Sequence, residues 1–272
     1  MTRPKEVLTA GAVRPWHVIF ILLAAYVVSD VAANKATLGL DPSYRNQVFY
    51  LMNVGLTGMT YLAFVAIVPE FRRALPVLLG APLPRPSWSD LAWALLAMLC
   101  WGYGLYKAAF ILPILELRPE WFSLMGLYET STPFGMKYAA LALGSVILAP
   151  IGEELMFRGF LMNLWIKRWG LWGGVIASSI VFGLFHRQHA LFAGLMGFAF
   201  ALVYLRYDSL LPGIALHATY NLLAFNWLLG QFGSMKARAT IQDLTYWIPE
   251  MIVTILFFPV AYIFWRRFRP AA

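Results

Sequence analysis

Eight apolar runs divide the chain. They cover Trp16 to about Ala33, Val48–Val68, Leu91 to about Leu115, the neighbourhood of Lys137 to Trp165, Leu171–His186, Ala190–Leu205, Leu210–Leu229 and Tyr246–Trp265. Crossing a bilayer takes about 20 predominantly apolar residues in a helix. The pattern therefore predicts an all-α, polytopic membrane helical bundle of about eight transmembrane helices, as a single domain over residues 1–272. Polar punctuation separates the runs. Pro69 closes the second, and a polar, proline-rich connection with Arg72, Arg73, Pro82, Pro84, Arg85 and Pro86 follows. Ser87-Trp88-Ser89-Asp90 reads as the N-cap of the third helix. The acidic, aromatic segment Glu116–Thr132 reads as a loop that packs over the membrane surface as a partial lid. Pro150 is expected to kink the fourth helix and free backbone carbonyls beside it. The sixth run is rich in glycine and alanine, as helix-packing faces in membranes are. No internal repeat or low-complexity tract is present.

Composition sharpens this picture. The chain is 61% hydrophobic and only 12% charged, where soluble domains carry about 25% charged residues. A soluble domain is excluded. The net charge of +8 fits helix-end topology and contact with anionic membrane lipid, and does not point to nucleic acid. Eight crossings place both termini on one side. Twelve of the 21 basic residues fall at the helix ends on that side, seven at the opposite ends, and Lys107 and Arg158 lie within runs. The positive-inside rule then puts both termini in the cytoplasm. The first run has a basic start and small residues at Ala32-Ala33, which are also features of a signal peptide; the charge count is better satisfied if the run is retained. A single cysteine, Cys100, permits no disulfide framework.

Three polar clusters interrupt the apolar runs. The first is Glu153-Glu154-Leu155-Met156-Phe157-Arg158. A charge at the bilayer centre costs at least about 2.5–3.5 kcal/mol, so three together must be paired or used. Glu154 and Arg158 are four apart and share a helix face. Glu153 is rotated by about 100° and stays free to take a proton. The second cluster is Phe182-Gly183-Leu184-Phe185-His186, and the third is His217-Ala218-Thr219-Tyr220-Asn221, where His217 and Asn221 lie one helical turn apart. Each has an ordinary structural reading when taken alone: a buried ion pair, packing phenylalanines, an interhelical histidine. Lys107 reads as a snorkelling or cavity-facing residue, Asp30 and His17 as interfacial. His189 falls in the short connection after the fifth run.

In order, the clusters read EExxxR, FxxxH and HxxxN on three successive apolar segments. This resembles the membrane-embedded CAAX-processing and bacteriocin-processing protease family, which includes the Ras-converting CAAX endopeptidases. The resemblance covers roughly Pro150–Leu223, about a quarter of the chain, with a catalytic core of about 137–229. It implies an intramembrane endopeptidase in which Glu153 and His186 act on a water, His217 and Asn221 stabilise the oxyanion, and Glu154, Arg158 and Phe182 support them. The substrate would be a peptide or a lipidated protein. No cofactor is expected on this reading. A zinc-dependent variant, with Glu153, His186 and His217 as ligands, is the alternative, although no HExxH is present. Against the metal, Glu154 is expected to be engaged by Arg158, leaving His217 without an orienting carboxylate. A transporter and a non-catalytic membrane protein on the same fold are the other classes. Counted along ideal helices, Glu153 and His186 lie about 21 and 27 Å from the inner ends of their helices and His217 about 17 Å. They converge only if helices tilt, break or begin deep.

Overall fold

The structure is a computed structural model, and it describes residues 13–40, 42–80, 87–102, 104, 142–186, 190–225 and 244–270. Lys107, the Glu116–Thr132 loop and His189 lie outside them. Every described element is helical. In chain order these are α1 (Pro15–Thr37), α2 (Pro42–Ile67), α3 (Pro69–Leu79), α4 (Trp88–Leu99), a wide-turned π-helical stretch Ala142–Leu148, α5 (Ala149–Glu153), a second π-helical stretch Glu154–Met162, α6 (Asn163–Phe185), α7 (Ala190–Tyr207), α8 (Leu210–Phe225) and α9 (Leu244–Phe268). Among the described residues, four helical stretches are long and apolar enough to cross a membrane: Pro15–Thr37, Leu143–Phe185, Ala190–Tyr207 and Met251–Phe268. The apolar part of α2, Met52–Ile67, is shorter. Large apolar side chains stand outward on these helices, among them Phe20, Val28, Ile180, Leu184 and Phe258. A surface this apolar belongs against lipid, and the protein is an integral membrane protein.

The chain forms two compact units. The first holds residues up to Pro86 together with Ser131–Thr219, and the second holds Ser87–Thr130 with Tyr220–Arg269. In the first unit the 43-residue stretch Leu143–Phe185 does not run straight. Gly170 adopts φ 75°, ψ 174°, a left-handed conformation that glycine takes without a Cβ clash. The helix reverses there, and its second half returns along the first: Phe182 and Phe185 meet Phe157 with ring centroids 5.0 and 5.9 Å apart. Gly174 makes the turn close, since a Cβ there would lie 2.5 Å from the Ile166 backbone nitrogen. The fourth and fifth runs are thus the two arms of a hairpin, separated where Gly170 follows Lys167-Arg168. Pro150 stands where the wide turns of Ala142–Leu148 pass into α5, and, having no N–H, it cannot bond a carbonyl of the preceding turn.

The α6–α7 contact is glycine against glycine. A Cβ on Gly183 would lie 2.4 Å from the Ala190 carbonyl oxygen and 3.1 Å from the Gly194 Cα. Helices approach this closely only where side chains are absent. α2 packs against Ala142–Leu148 and α5, and Gly58 allows it, with Leu148 Cβ 3.0 Å from where its own Cβ would be.

One expectation is corrected. The segment after Pro69 was expected to be a polar connection, but its first part is helix α3. Pro69 ends α2 and, with φ already helical, opens the next helix at its first position. Phe71, Ala74 and Leu78 are buried on one face while Arg72 and Arg73 are exposed. Phe71 stacks on Phe160 at 4.2 Å, and the Ser209 hydroxyl donates to the Leu79 carbonyl at 2.6 Å, which fastens the end of α3 to the α7–α8 turn.

In the second unit, Ser87 caps α4 as its sequence indicates, accepting from the Asp90 backbone N–H. Arg267 of α9 donates to Ser89 Oγ at 3.0 Å and to the buried Asp90 carboxylate at 2.5 Å. Gly104 lets the α9 backbone approach, since a Cβ there would meet the Thr254 nitrogen at 2.7 Å.

Candidate active site

Glu153, Glu154 and Arg158 stand where α5 passes into the π-helical stretch Glu154–Met162. Such wide turns recur at functional sites because they re-aim side chains. Glu154 and Arg158 are sealed from solvent, and Arg158 Nη1 donates to Glu154 Oε1 at 3.0 Å. The guanidinium also lies over aromatic rings, 4.3 Å from the Phe182 centroid and 5.3 Å from that of Phe200. Gly197 of α7 makes room for it: a Cβ there would stand 3.0 Å from both Arg158 Nη2 and Phe182 Cδ1. The charge is thus held by one carboxylate and a cage of ring faces.

The hairpin brings His186 to the first glutamate. His186 Nε2 lies 4.0 Å from Glu153 Oε2, and the ring is fixed by its Nδ1, which bonds the Phe182 carbonyl at 2.7 Å. α8 supplies His217, whose Nε2 lies 3.9 Å from the same Glu153 oxygen. Its Nδ1 is 3.0 Å from Glu154 Oε1. A carboxylate only accepts, so Nδ1–H donates, leaving Nε2 an acceptor in the neutral ring and a donor in the cation. Phe200 stacks on the His217 ring at 4.4 Å and holds its plane.

Glu153, His186 and His217 therefore converge, and the two glutamates divide their work. Glu154 joins Arg158 and His217 into a buried chain of hydrogen bonds. Glu153 Oε2 is buried and has no hydrogen-bond partner among the described residues. A gap of 4.0 Å is too long for a hydrogen bond, yet one water about 2.8 Å from each atom spans it with an angle of about 90° at oxygen. Glu153 is 20% exposed and His186 36%, against 6% for the His217 side chain, so the site opens on the His186 side. Asn221 follows His217 by one turn of α8 and belongs to the second unit.

Two features were not legible in the sequence. The premise that Glu154 serves Arg158 alone is corrected, because the same oxygen also orients His217; no spacing relates residues 63 apart in the chain. Asn163 is the other. Its side-chain amide donates to the carbonyls of Arg158 and Gly159 at 2.8 and 2.9 Å and lies 3.0 Å from the Tyr204 hydroxyl. It secures the stretch that carries Glu154 and Arg158. A polar residue inside an apolar run was the available signal.

The zinc alternative can be set against this geometry. Among the described residues no three His, Cys, Asp or Glu side chains are disposed to hold a metal ion. A tetrahedral set built on bonds of about 2.1 Å has ligand atoms about 3.4 Å apart, and the Glu153 contacts, at 3.9 and 4.0 Å, are wider. The residues as placed do not fit the metal.

Buried ionisable groups thus converge between the apolar helices of a membrane protein. Residues 135–223 match the family described as Type II CAAX prenyl endopeptidase Rce1-like. The matched segment, about a third of the chain, resembles the CAAX protease family and contains every residue of the cluster just described. The match supports a membrane-embedded peptidase of the CAAX type. A protein from Escherichia coli described as an uncharacterized 24.3 kDa protein is 26% identical over 177 residues, covering 64% of this chain and 70% of that protein. No solved structure matches the chain.

Proposed function

We propose that the protein is an intramembrane endopeptidase that cleaves a membrane-associated protein or peptide precursor with a water activated by Glu153 and His186. The observation that carries this reading is the arrangement around Glu153 Oε2, with two histidine Nε2 atoms 3.9 and 4.0 Å away and the second glutamate orienting one of them. A water bridging Glu153 and His186 gives its proton to the Glu153 carboxylate as its oxygen attacks the scissile carbonyl carbon. The carbonyl oxygen becomes an oxyanion. His217, as the imidazolium, donates Nδ1–H to Glu154 and Nε2–H to that oxyanion. When the intermediate collapses, the proton on Glu153 passes to the departing nitrogen. No acyl-enzyme forms. With His217 cationic, Glu153, Glu154, Arg158 and His217 sum to zero net charge, a composition that a low-dielectric interior tolerates better than an excess of either sign.

The substrate reaches a site sunk among apolar helices, which favours a chain already attached to or inserted in the membrane, a lipidated protein included. The test is comparative proteomics of membranes holding the wild-type protein or Glu153→Ala at equal abundance. The expected result is at least one membrane-associated peptide cut only by the former. Identical peptide sets would overturn the reading.

A further inference from the structure

His217 is tied to the buried ion pair at one polar point. Its Nδ1–H bonds Glu154 Oε1 at 3.0 Å. The other end of the ring, Nε2, has to face the place beside Glu153 Oε2, 3.9 Å away. One hydrogen bond does not fix that direction. The terminal torsion of a histidine is broad rather than sharply staggered, so a ring held at one nitrogen still rocks, and rocking swings Nε2. A second restraint must define the plane of the ring. Phe182, from the second polar cluster, does not provide it: its ring stands 6.2 Å away at 73° to the imidazole, and a ring at that distance and angle does not cover the imidazole face.

Phe200 covers that face. It lies on α7, a helix whose sequence speaks only of hydropathy and small residues. Its ring is stacked on the His217 imidazole, with centroids 4.4 Å apart and planes within 23°, an arrangement that aromatic rings favour. The same ring carries the Arg158 guanidinium at 5.3 Å. Glu154 and Phe200 therefore hold the same two residues. Glu154 bonds each of them at 3.0 Å, and Phe200 meets each of them with its ring. Phe200 is itself held fast, at 1% exposure. Three residues earlier on the same side of α7, Gly197 leaves the space that Arg158 Nη2 and Phe182 use. An aliphatic side chain of similar bulk would fill this slot, but it has no flat face and would not define the plane of His217.

We propose that Phe200 is a positioning residue of this active site, whose ring face fixes the plane of His217 and so aims Nε2 at the substrate oxygen beside Glu153. The kinetic consequence rests on the endopeptidase reading above, while the stacking itself does not. Phe200→Leu keeps apolar bulk in the slot and removes the flat face. Two measurements test the proposal in purified protein. The first is cleavage of the peptide found to depend on Glu153, synthesised with a fluorophore and quencher, with kcat counted per folded molecule. The expected result is a fall in kcat of about 10- to 100-fold, the range for a misplacement of about 1 Å, with KM within about twofold of wild type. A kcat within about twofold of wild type, or a loss seen in KM alone, overturns the proposal, because Phe200 would then be ordinary packing. Phe200→Met, whose flexible side chain adapts to the slot, takes the place of the leucine variant if that one does not fold. The second readout needs no substrate. The His217 ring-proton resonances, identified by their loss in His217→Gln, are shielded by a stacked Phe200 ring and should move downfield in either variant. Unmoved resonances also overturn the proposal. If no peptide depends on Glu153, the endopeptidase reading fails, and the magnetic resonance measurement still decides the place of Phe200.

Discussion

Arg158 is enclosed by protein, 1% exposed, with its charge answered by Glu154 at 3.0 Å and by the rings of Phe182 and Phe200. Replacing it with methionine keeps a long, flexible, apolar side chain in the aromatic slot, so the loss is chiefly one of charge. Glu154 is then a buried carboxylate with only the His217 N–H left to it. Breaking a buried pair from one side costs about 3–5 kcal/mol. For a chain of this size each kcal/mol moves the midpoint by roughly 2–4 °C, so Arg158→Met should melt about 6–20 °C below wild type. The double variant Glu154→Gln/Arg158→Met has no unpaired charge, and the glutamine oxygen can still accept from His217. It should recover at least about half of the lost interval. The 11 tryptophans, Trp165 among them at 6% exposure, report unfolding in detergent by their fluorescence. A single variant melting within about 2 °C of wild type, or a double variant no more stable than the single, would show that packing and not charge holds this part of the structure, and the reasoning would fail.

Gly183→Ala should prevent accumulation of folded protein, because its Cβ would press within 2.4 Å of the Ala190 carbonyl and neither backbone can yield; normal yield and melting would contradict the close α6–α7 crossing. Purified, active protein should carry no stoichiometric zinc and keep single-turnover cleavage in the presence of a chelator. One zinc per chain, with activity lost on chelation and restored by zinc, would instead make Glu153, His186 and His217 ligands. A reporter fused after Arg269 should be cytoplasmic and one inserted in Glu116–Thr132 should lie on the opposite side; a shared side would refute the count of eight crossings.

The sequence by itself determined the class of fold and the inventory of the site. Runs of apolar residues as long as α1 and α7 have no stable alternative to helices in a membrane, since every backbone polar group must be satisfied within the segment. Charges in such runs are so costly that Glu153, Glu154 and Arg158 announced themselves, and the four-residue spacing of the last two fixed their pairing because it depends only on helix geometry. Capping by Ser87 is equally local. What failed was also local in origin: α3 was hidden because Arg72, Arg73 and the prolines outweighed the spacing of Phe71, Ala74 and Leu78.

Only the tertiary structure decided which polar groups meet. Whether Glu153, His186 and His217 converge depends on a reversal at Gly170 and on glycine crossings at Gly183 and Gly197, and hydropathy is the same whether or not two helices touch there. The bond from His217 to Glu154 links residues 63 apart, and Tyr61 sits against Gly152 from a helix 91 positions earlier in the chain. Periodicity assigns a residue to a face of its own helix. The partner of that face is set by close packing between helices, where a single missing Cβ determines how near two backbones can come.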